Sequence, residues 1–546
     1  MATTAGLDWP RTTEIAEQQA SLHALIGELK TANFNTVFFQ VRARGDAYYR
    51  SAYEPWGENL TGTLGKDPGW DPLAFLLAEA HQAGFEVHAW FNVFKIRGPN
   101  PVGTSIPLHP SRAHPQWVAQ HGGELWFDPG IPEVREYLIS VALDIVKNYD
   151  VDGINFDFIR YPGPEFPDKE SYRRYGNGTP RDEWRRSNIS KFVVDFCDRM
   201  RALKPMVKLG SSPLGVYRGE TEDEPEGSYF SNSQDSRSWL RLGKHDYLAP
   251  QVYWNIGASK GNPDFARLAR SWGANASGRH IYIGIAAYKA DVAKEIPAQI
   301  DSSRQSGAAG QAFFRYDYLK RAGLFGGRYD LPGIIPPMNW KDSIPPLAPQ
   351  ELTVTELAPN VFGLQWTPPA EARDGDGARY YVIYRWTSAR IPFDNPRAIA
   401  AVTTDNRSSY IDTVRVPTGL SYYYAVTAFD KGNNESPPSN VSAGTMKELS
   451  AIRGILEVTG LSIQVSNTTQ KPTLIAYRLA RRSRVSVDVL SIKPAGSDTL
   501  VRSIVNEVQE GGTYVFGLNG IPFPRGKHTL RLNTGESHLE QSVDVP

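Results

Sequence analysis

Val151-Asp152-Gly153-Ile154-Asn155-Phe156-Asp157-Phe158-Ile159-Arg160-Tyr161-Pro162 is a short apolar run that ends in a carboxylate, an arginine, a tyrosine and a helix-incompatible proline. A buried parallel strand reads this way. Its carboxylate falls at the C-terminal end, where the loops of a (β/α) barrel converge on one mouth. Asp157 is therefore the leading candidate for chemistry, and the fold depends on whether its neighbours repeat the pattern.

They do. Gln18 to Ala32 carries apolar positions at helical spacing, and Asn35 to Val41 follows as a buried strand. Pro72 to Ala83 predicts a helix closed by Gly84, then Glu86 to Asn92 a strand. Pro132 to Asn148 and Asp182 to Leu203 predict helices on either side of the opening stretch. Further strands are expected at Val207 to Ser212, Tyr247 to Tyr253, His280 to Ala286 and Gly310 to Tyr316. With a short first strand near Ala2 to Thr4, eight strands alternate with helical segments, which implies right-handed parallel crossovers closing into a (β/α)8 TIM barrel. An open doubly wound sheet is the alternative. It lacks support, because no Gly-rich dinucleotide turn follows the early strands and polar residues gather after nearly every strand.

A run of prolines, Pro332, Pro336, Pro337, Pro345, Pro346 and Pro349, ends this pattern. The expected boundaries are a barrel over 1–335, a stiff linker over 336–349, and two all-β sandwich domains over 350–445 and 446–546. In the first sandwich, Trp366 on the second strand and the run Leu420-Ser421-Tyr422-Tyr423-Tyr424-Ala425-Val426 resemble a fibronectin type III domain. The second is similar to the immunoglobulin-like modules at the ends of exported bacterial proteins, through Gly511-Gly512-Thr513-Tyr514 and Gly526-Lys527-His528-Thr529-Leu530. Asp374-Gly375-Asp376-Gly377 reads as a turn, since it lacks the ligand spacing of a calcium loop.

The chain has 546 residues, more than one core usually supports, and its formal net charge of zero gives no electrostatic reason for a nucleic-acid partner. Cys197 is the one cysteine, so no intramolecular disulfide forms, and no Cys or His cluster suggests a metal; no cofactor is expected. No run of about 20 apolar residues is present to span a membrane. The first residues carry neither a basic segment nor an apolar one, which fits a mature N-terminus after removal of an export signal. An exported protein with possible cell-envelope association is the expectation. With 13 Trp and 26 Tyr, the chain is rich in rings that stack on sugars, although most such rings serve packing.

The strand ends supply the candidate site. After the second strand come Arg42, Arg44 and Asp46, which either meet substrate or brace the loop. The third strand ends in Trp90 and Asn92; its His88 is more often a core residue than a catalytic one. Asp128 favours a turn. Arg160 and Tyr161 follow Asp157; Gln251, Tyr253 and Trp254 follow the sixth strand, Tyr288 the seventh, and Tyr316 the eighth. Polar and aromatic residues thus collect at one end of the barrel.

The barrel is similar to glycosyl-hydrolase-like family ten. The phrases that carry the resemblance are Leu7-Asp8-Trp9-Pro10, Gln40-Val41-Arg42 with Gly45-Asp46-Ala47, Pro55-Trp56, Asp71-Pro72-Leu73, Ala80-His81, His88-Ala89-Trp90-Phe91-Asn92, Asp128-Pro129-Gly130, Val151-Asp152-Gly153-Ile154, Trp184-Arg185-Arg186, Ser212-Pro213 and Pro250-Gln251-Val252-Tyr253-Trp254. The resemblance implies a barrel glycosidase, and at least one relative acts on cell-wall glycan strands stripped of peptide. Some members carry a second Asp directly after the first, where this chain has Phe158.

Glycoside hydrolysis in its usual form needs two carboxyl groups. Asp157 is one; Asp46, Asp317, Glu165 and Glu183 compete for the other, with Asp46 first. A substrate with a 2-acetamido group can supply its own nucleophile, so that Asp157 as acid, oriented by Gln251 and Tyr253, suffices. A structural pairing of Asp157 with Arg160, Arg185 or Arg186 is the competing reading. At the level of function, the rivals to an N-acetylhexosamine glycan hydrolase are a non-catalytic glycan binder and an α-glucan glycosidase.

Overall fold

A computed structural model describes residues 1–444 apart from 98–102, 220, 222–223, 258, 260, 321–322, 359–360 and 415–420, and beyond them residues 464–465, 474–479, 483–491, 499–509, 512–517, 526–533 and 538–545. The chain divides into two units, Met1–Ser343 and Ile344–Pro546.

In the first unit the strands are β1 (Thr36–Arg42), β2 (Glu86–Asn92), β3 (Lys95–Arg97), β4 (Val118–His121), β5 (Glu124–Phe127), β6 (Gly153–Asp157), β7 (Lys208–Ser211), β8 (Tyr247–Leu248), β9 (His280–Ala286) and β10 (Gly310–Phe314). Seven of them form one all-parallel sheet in the order β1-β2-β6-β7-β8-β9-β10. The sheet curls. Phe38 of β1 stacks on Tyr247 of β8 at 5.9 Å, and Trp90 of β2 meets Phe314 of β10 at 6.0 Å. In a flat sheet, strands four and five places apart would lie roughly 19 and 24 Å from each other. Rings that touch across those intervals require a barrel.

Expected element ends move by a few residues for identifiable reasons. The first strand expected near Ala2 to Thr4 does not form; Thr4–Gly6 is a 3-10 turn. Met1 still lies along the free edge of β1, its amine donating to the Phe38 carbonyl at 2.6 Å and its carbonyl accepting from the Gln40 amide at 3.2 Å. The expected strand Tyr247 to Tyr253 stops at Leu248, ahead of Pro250, which has no N–H for the ladder. Gln251 then rejoins as bridges to Leu214 and Gly284. β5 pairs with β3 and β4 in a small antiparallel sheet.

The helices form where caps and apolar faces coincide. Asp71 accepts from the Ala74 amide at 3.0 Å to cap the helix Pro72–Gln82, and Gly84 at φ +81° takes the left-handed turn beyond it. Every residue of β6 is buried, as expected for a strand covered on both faces. Phe156 points outward onto Phe192 and Phe196 of the helix Arg181–Leu203. Gly153 faces the interior, where a Cβ would fall 2.6 Å from the His88 ring. The alternation therefore turns Asp157 inward.

Below the mouth the barrel holds a polar layer. Lys208 and Glu86 form a buried ion pair, and His88 Nδ1 meets the Tyr247 hydroxyl at 2.7 Å. His88 is thus a core residue. At Gly210 a Cβ would lie 2.2 Å from the Tyr247 ring. Gly210→Ala should displace that ring and lower stability by about 1–3 kcal/mol, read by chemical denaturation. An unchanged midpoint would show that the ring moves freely.

Trp340 donates to Asp246 at 2.9 Å and Lys341 pairs with it at 3.1 Å, so the chain stays anchored to the barrel past Pro336. Asp246 is a fully buried carboxylate, and these partners satisfy it. Among the described residues no helix is long and apolar enough to cross a membrane.

The described strand pairs of the second unit are antiparallel. Strands β11 (Gln350–Ala358), β12 (Val361–Thr367), β13 (Tyr380–Trp386), β14 (Ile399–Val402), β15 (Ser409–Thr413), β16 (Tyr423–Phe429) and β17 (Ser442–Ala443) make two sheets, β11-β12-β15 and β14-β13-β16-β17. Trp366, Tyr381, Ile383 and Tyr424 share one core. Further strands, β18 (Gln464–Val465), β19 (Leu474–Leu479), β20 (Ser483–Ser491), β21 (Thr499–Gln509), β22 (Gly512–Gly517), β23 (Gly526–Asn533) and β24 (His538–Val545), make sheets β18-β19-β22 and β21-β20-β23-β24. Asp374 to Gly377 forms a turn, with the Asp376 amide donating to Asp374 at 3.1 Å. The expected boundary at 445/446 and Gly511 lie outside the described residues.

Candidate active site

Asp157 ends β6 beside Asn92, its register partner on β2. Its Oδ1 accepts two hydrogen bonds, from the Phe158 amide at 2.7 Å and from Gln251 Nε2 at 3.2 Å. Gln251 is itself aimed by the Ser212 carbonyl, to which it donates at 2.9 Å. Among the described residues none hydrogen-bonds Oδ2. Burial pushes the Asp157 pKa up, against the pull of Arg160, the Phe158 amide, Gln251 and Lys95. The strongest influences on Asp157 thus include two cations and no carboxylate.

Phe158 holds this geometry at φ +50°, a left-handed backbone that is rare for a bulky residue. Arg160 and Lys95 both stand over its ring, at 4.7 and 4.8 Å, and Trp126 meets its edge at 5.8 Å. Lys95 pairs with Glu124 of β5 at 2.6 Å.

An aromatic wall rises from the neighbouring strand ends. Tyr253 stacks on Phe314 at 6.0 Å with planes 16° apart, Trp90 and Tyr288 meet Phe314 edge-on, and Tyr288 meets Tyr253. Burial and the nearby Asp157 raise the Tyr253 pKa well above its usual value, so its hydroxyl stays protonated and can donate. The Trp254 ring packs so near Gly215 that a Cβ there would lie 2.7 Å away.

Several residues expected at the site serve elsewhere. Arg42 is wholly buried: its Nε and Nη2 each reach Glu54 at 2.7 Å and Nη1 donates to the Asn92 carbonyl, so it braces the loop and offers no face to a sugar. Asp46 accepts from the Arg44 amide at 2.8 Å, and both line a small rim pocket with His109, away from the groups that act on Asp157. Tyr161 is buried under Arg185, with Asn188 Nδ2 reaching its hydroxyl at 3.4 Å. Tyr316 is directed to Glu28, at 2.5 Å, because the chain leaves β10 at Phe314 and enters a 3-10 turn.

Asp317 pairs with Arg315 at 3.0 Å, and Glu165 and Glu183 are exposed. Asp128 is the turn residue expected, accepting from the Gly130 amide at 2.8 Å. Arg185 pairs with Asp168 at 2.7 Å, not with Asp157. Asn92 donates to the Ala43 carbonyl at 2.9 Å and accepts from Trp90 Nε1 at 3.0 Å, which orients the indole.

Phe314, Phe158, Lys95 and Glu124 were not among the expected site residues. Strand parity was the available signal for Phe314, which shares its face of β10 with Gly310 and Ala312.

The family model described as Glycosyl hydrolase-like 10 matches residues 1–301. The chain is 34% identical over 476 residues to the glycosyl hydrolase YngK of Bacillus subtilis, covering 80% of this chain and 91% of that protein. It is 34% identical over 367 residues to the glycosyl hydrolase DigH of Escherichia coli K12, covering 59% and 83% respectively. Among solved structures, the PgaB glycoside hydrolase domain of Bordetella bronchiseptica aligns with a TM-score of 0.43 at 14% identity, over 59% of this chain and 95% of that one.

Proposed function

The chain belongs to the glycosyl hydrolase-like 10 family, and on that premise we propose that its barrel mouth hydrolyses an N-acetylhexosamine-containing glycan, such as peptidoglycan strands stripped of peptide, with Asp157 as general acid. The observation that carries this reading is the state of Asp157. Its carboxyl is biased toward the protonated form by burial, Oδ2 is free to deliver the proton, and an aromatic wall stands beside it.

The steps follow from the partners. The protonated Oδ2 hydrogen-bonds the glycosidic oxygen and passes its proton as the C1–O bond breaks. Gln251 and the Phe158 amide hold Oδ1, so the carboxyl does not swing away. The strongest influences on Asp157 include no second carboxylate. The nucleophile in this proposal is the substrate's own 2-acetamido oxygen, which attacks C1 while Tyr253 donates to a sugar oxygen or to that acetamido group. Water then opens the cyclic intermediate, and Asp157, now ionised, takes the proton from that water.

Assays of reducing ends released from denuded glycan strands, chitin oligosaccharides and an α-glucan test the proposal. Release is expected from the first two and not from the third. Glycan affinity by calorimetry without any product would turn the reading into that of a binding protein. The same assay gives a pH prediction. Because Asp157 acts protonated, turnover should fall as pH rises through its elevated pKa. Arg160 lowers that pKa, so Arg160→Met should move the alkaline limb to higher pH; a limb that stays in place would detach it from Asp157.

Export to the cell envelope fits such a substrate, and cell fractionation tests it. The sheet orders β11-β12-β15 and β14-β13-β16-β17 support a fibronectin type III reading of residues 350–445, as a module appended to the hydrolase.

A further inference from the structure

Arg160 is a largely buried cation with an enclosed donor that goes unused. Its side chain is 12% exposed, and it makes no hydrogen bond to any described residue; Nη1 is fully enclosed without a partner. Asp157 Oδ1 is its nearest anion, at 3.8 Å, too far for a hydrogen bond. The other anion it feels is Glu124, which is already paired with Lys95 at 2.6 Å. Every other buried arginine described above is fully engaged: Arg42 reaches both oxygens of Glu54, and Arg185 both oxygens of Asp168.

The deficit widens in the working state of the site. When Asp157 carries the proton it is to deliver, Arg160 loses its nearest negative partner while remaining enclosed beside Phe158 and a second cation, Lys95. A guanidinium in that position matches a carboxylate, which accepts two parallel N–H bonds in one plane. A sugar hydroxyl would satisfy one donor and leave the charge unanswered.

We propose that Arg160 is the receptor for a carboxylate carried by the sugar next to the scissile bond, so that the barrel selects acidic over neutral N-acetylhexosamine glycans. This rests on Asp157 working as the general acid. Binding of the acidic sugar draws the guanidinium toward the mouth. Phe158 supplies the flat surface on which the guanidinium turns.

The test compares one carboxylated N-acetylhexosamine oligosaccharide with the same oligosaccharide after reduction of its carboxyls to alcohols. The wild-type protein should lose about 10- to 100-fold in kcat/KM on the reduced glycan, the range for a charge-assisted bond. Arg160→Met should cleave both glycans at equal rates, losing the preference whatever its overall rate, and Arg160→Lys, a point charge without the fork, should recover part of the preference. Melting curves establish that each variant is folded. Equal turnover of both glycans by the wild type overturns the proposal and leaves the hydrolase reading standing.

Calorimetry on the Asp157→Asn protein separates the two ideas when neither glycan is cleaved. Tighter binding of the carboxylated form, abolished by adding Arg160→Met, supports the receptor without the hydrolase. Equal binding of both forms overturns it.

Discussion

Asp157→Asn should lower the release of reducing ends from denuded glycan strands by about 10²- to 10⁴-fold, the contribution of a positioned general acid. The substitution keeps the shape of the side chain. An amide oxygen still accepts from the Phe158 N–H and from Gln251, so the geometry at the end of β6 survives. What is lost is the transferable proton. The effect belongs in kcat, because the acid acts only as the glycosidic bond breaks.

Stability should move the other way. The folded-state pKa of Asp157 is raised, so the carboxyl's favourable contribution is complete below its unfolded pKa and is lost as pH rises through the folded one. At neutral pH the ionised carboxylate therefore costs stability, and its neutral isostere should melt no lower than the parent. A variant that melts normally and retains full hydrolysis would remove Asp157 from the acid role.

Arg42→Ala should be the most damaging change to the fold, at about 3–5 kcal/mol, because it leaves Glu54 buried without its cation. Glu54 also accepts from the Tyr137 hydroxyl at 3.3 Å, and the Arg42 guanidinium lies 4.8 Å over the Phe91 ring. Removing either charge thus disturbs three elements at once. Glu54→Ala should cost a similar amount, whereas Arg42→Met with Glu54→Leu should recover much of the loss by replacing both charges together. Denaturant midpoints of the two single variants and the pair decide the matter; a double variant as unstable as the sum of the singles would mean that packing, not charge, holds the loop.

Much of the barrel was legible because parallel strands covered on both faces read as apolar runs between helical periods. Glu86–Asn92, His280–Ala286 and the helix Pro132–Asn148 stand where the periodicity puts them. The site was less legible, since a strand-end arginine looks the same whether it meets a sugar or a loop carboxylate. Arg42 and Arg160 both follow apolar strands. One finds Glu54 twelve residues away, the other finds no hydrogen bond among the described residues, and only tertiary structure tells them apart. Tyr316 was favoured over Phe314 for its hydroxyl, yet the chain turns after Phe314 and carries Tyr316 away to Glu28. Lys95 and Glu124 sit on strands too short to leave a period in the sequence.

The contact between Trp90 and Phe314 joins the second strand of the barrel to its last, and the ring is fastened nearby by Arg315 on Asp8, 307 residues apart. Contacts of such separation carry the largest loop entropy and form after local ones. The acid and its tethers, Asp157, Phe158 and Gln251, come from the middle of the barrel and do not depend on that fastening. Half of the aromatic wall does. Under the proposed function, a newly made chain would possess its acid before it could hold a sugar against it, and competence to grip substrate would arrive with closure of the ring.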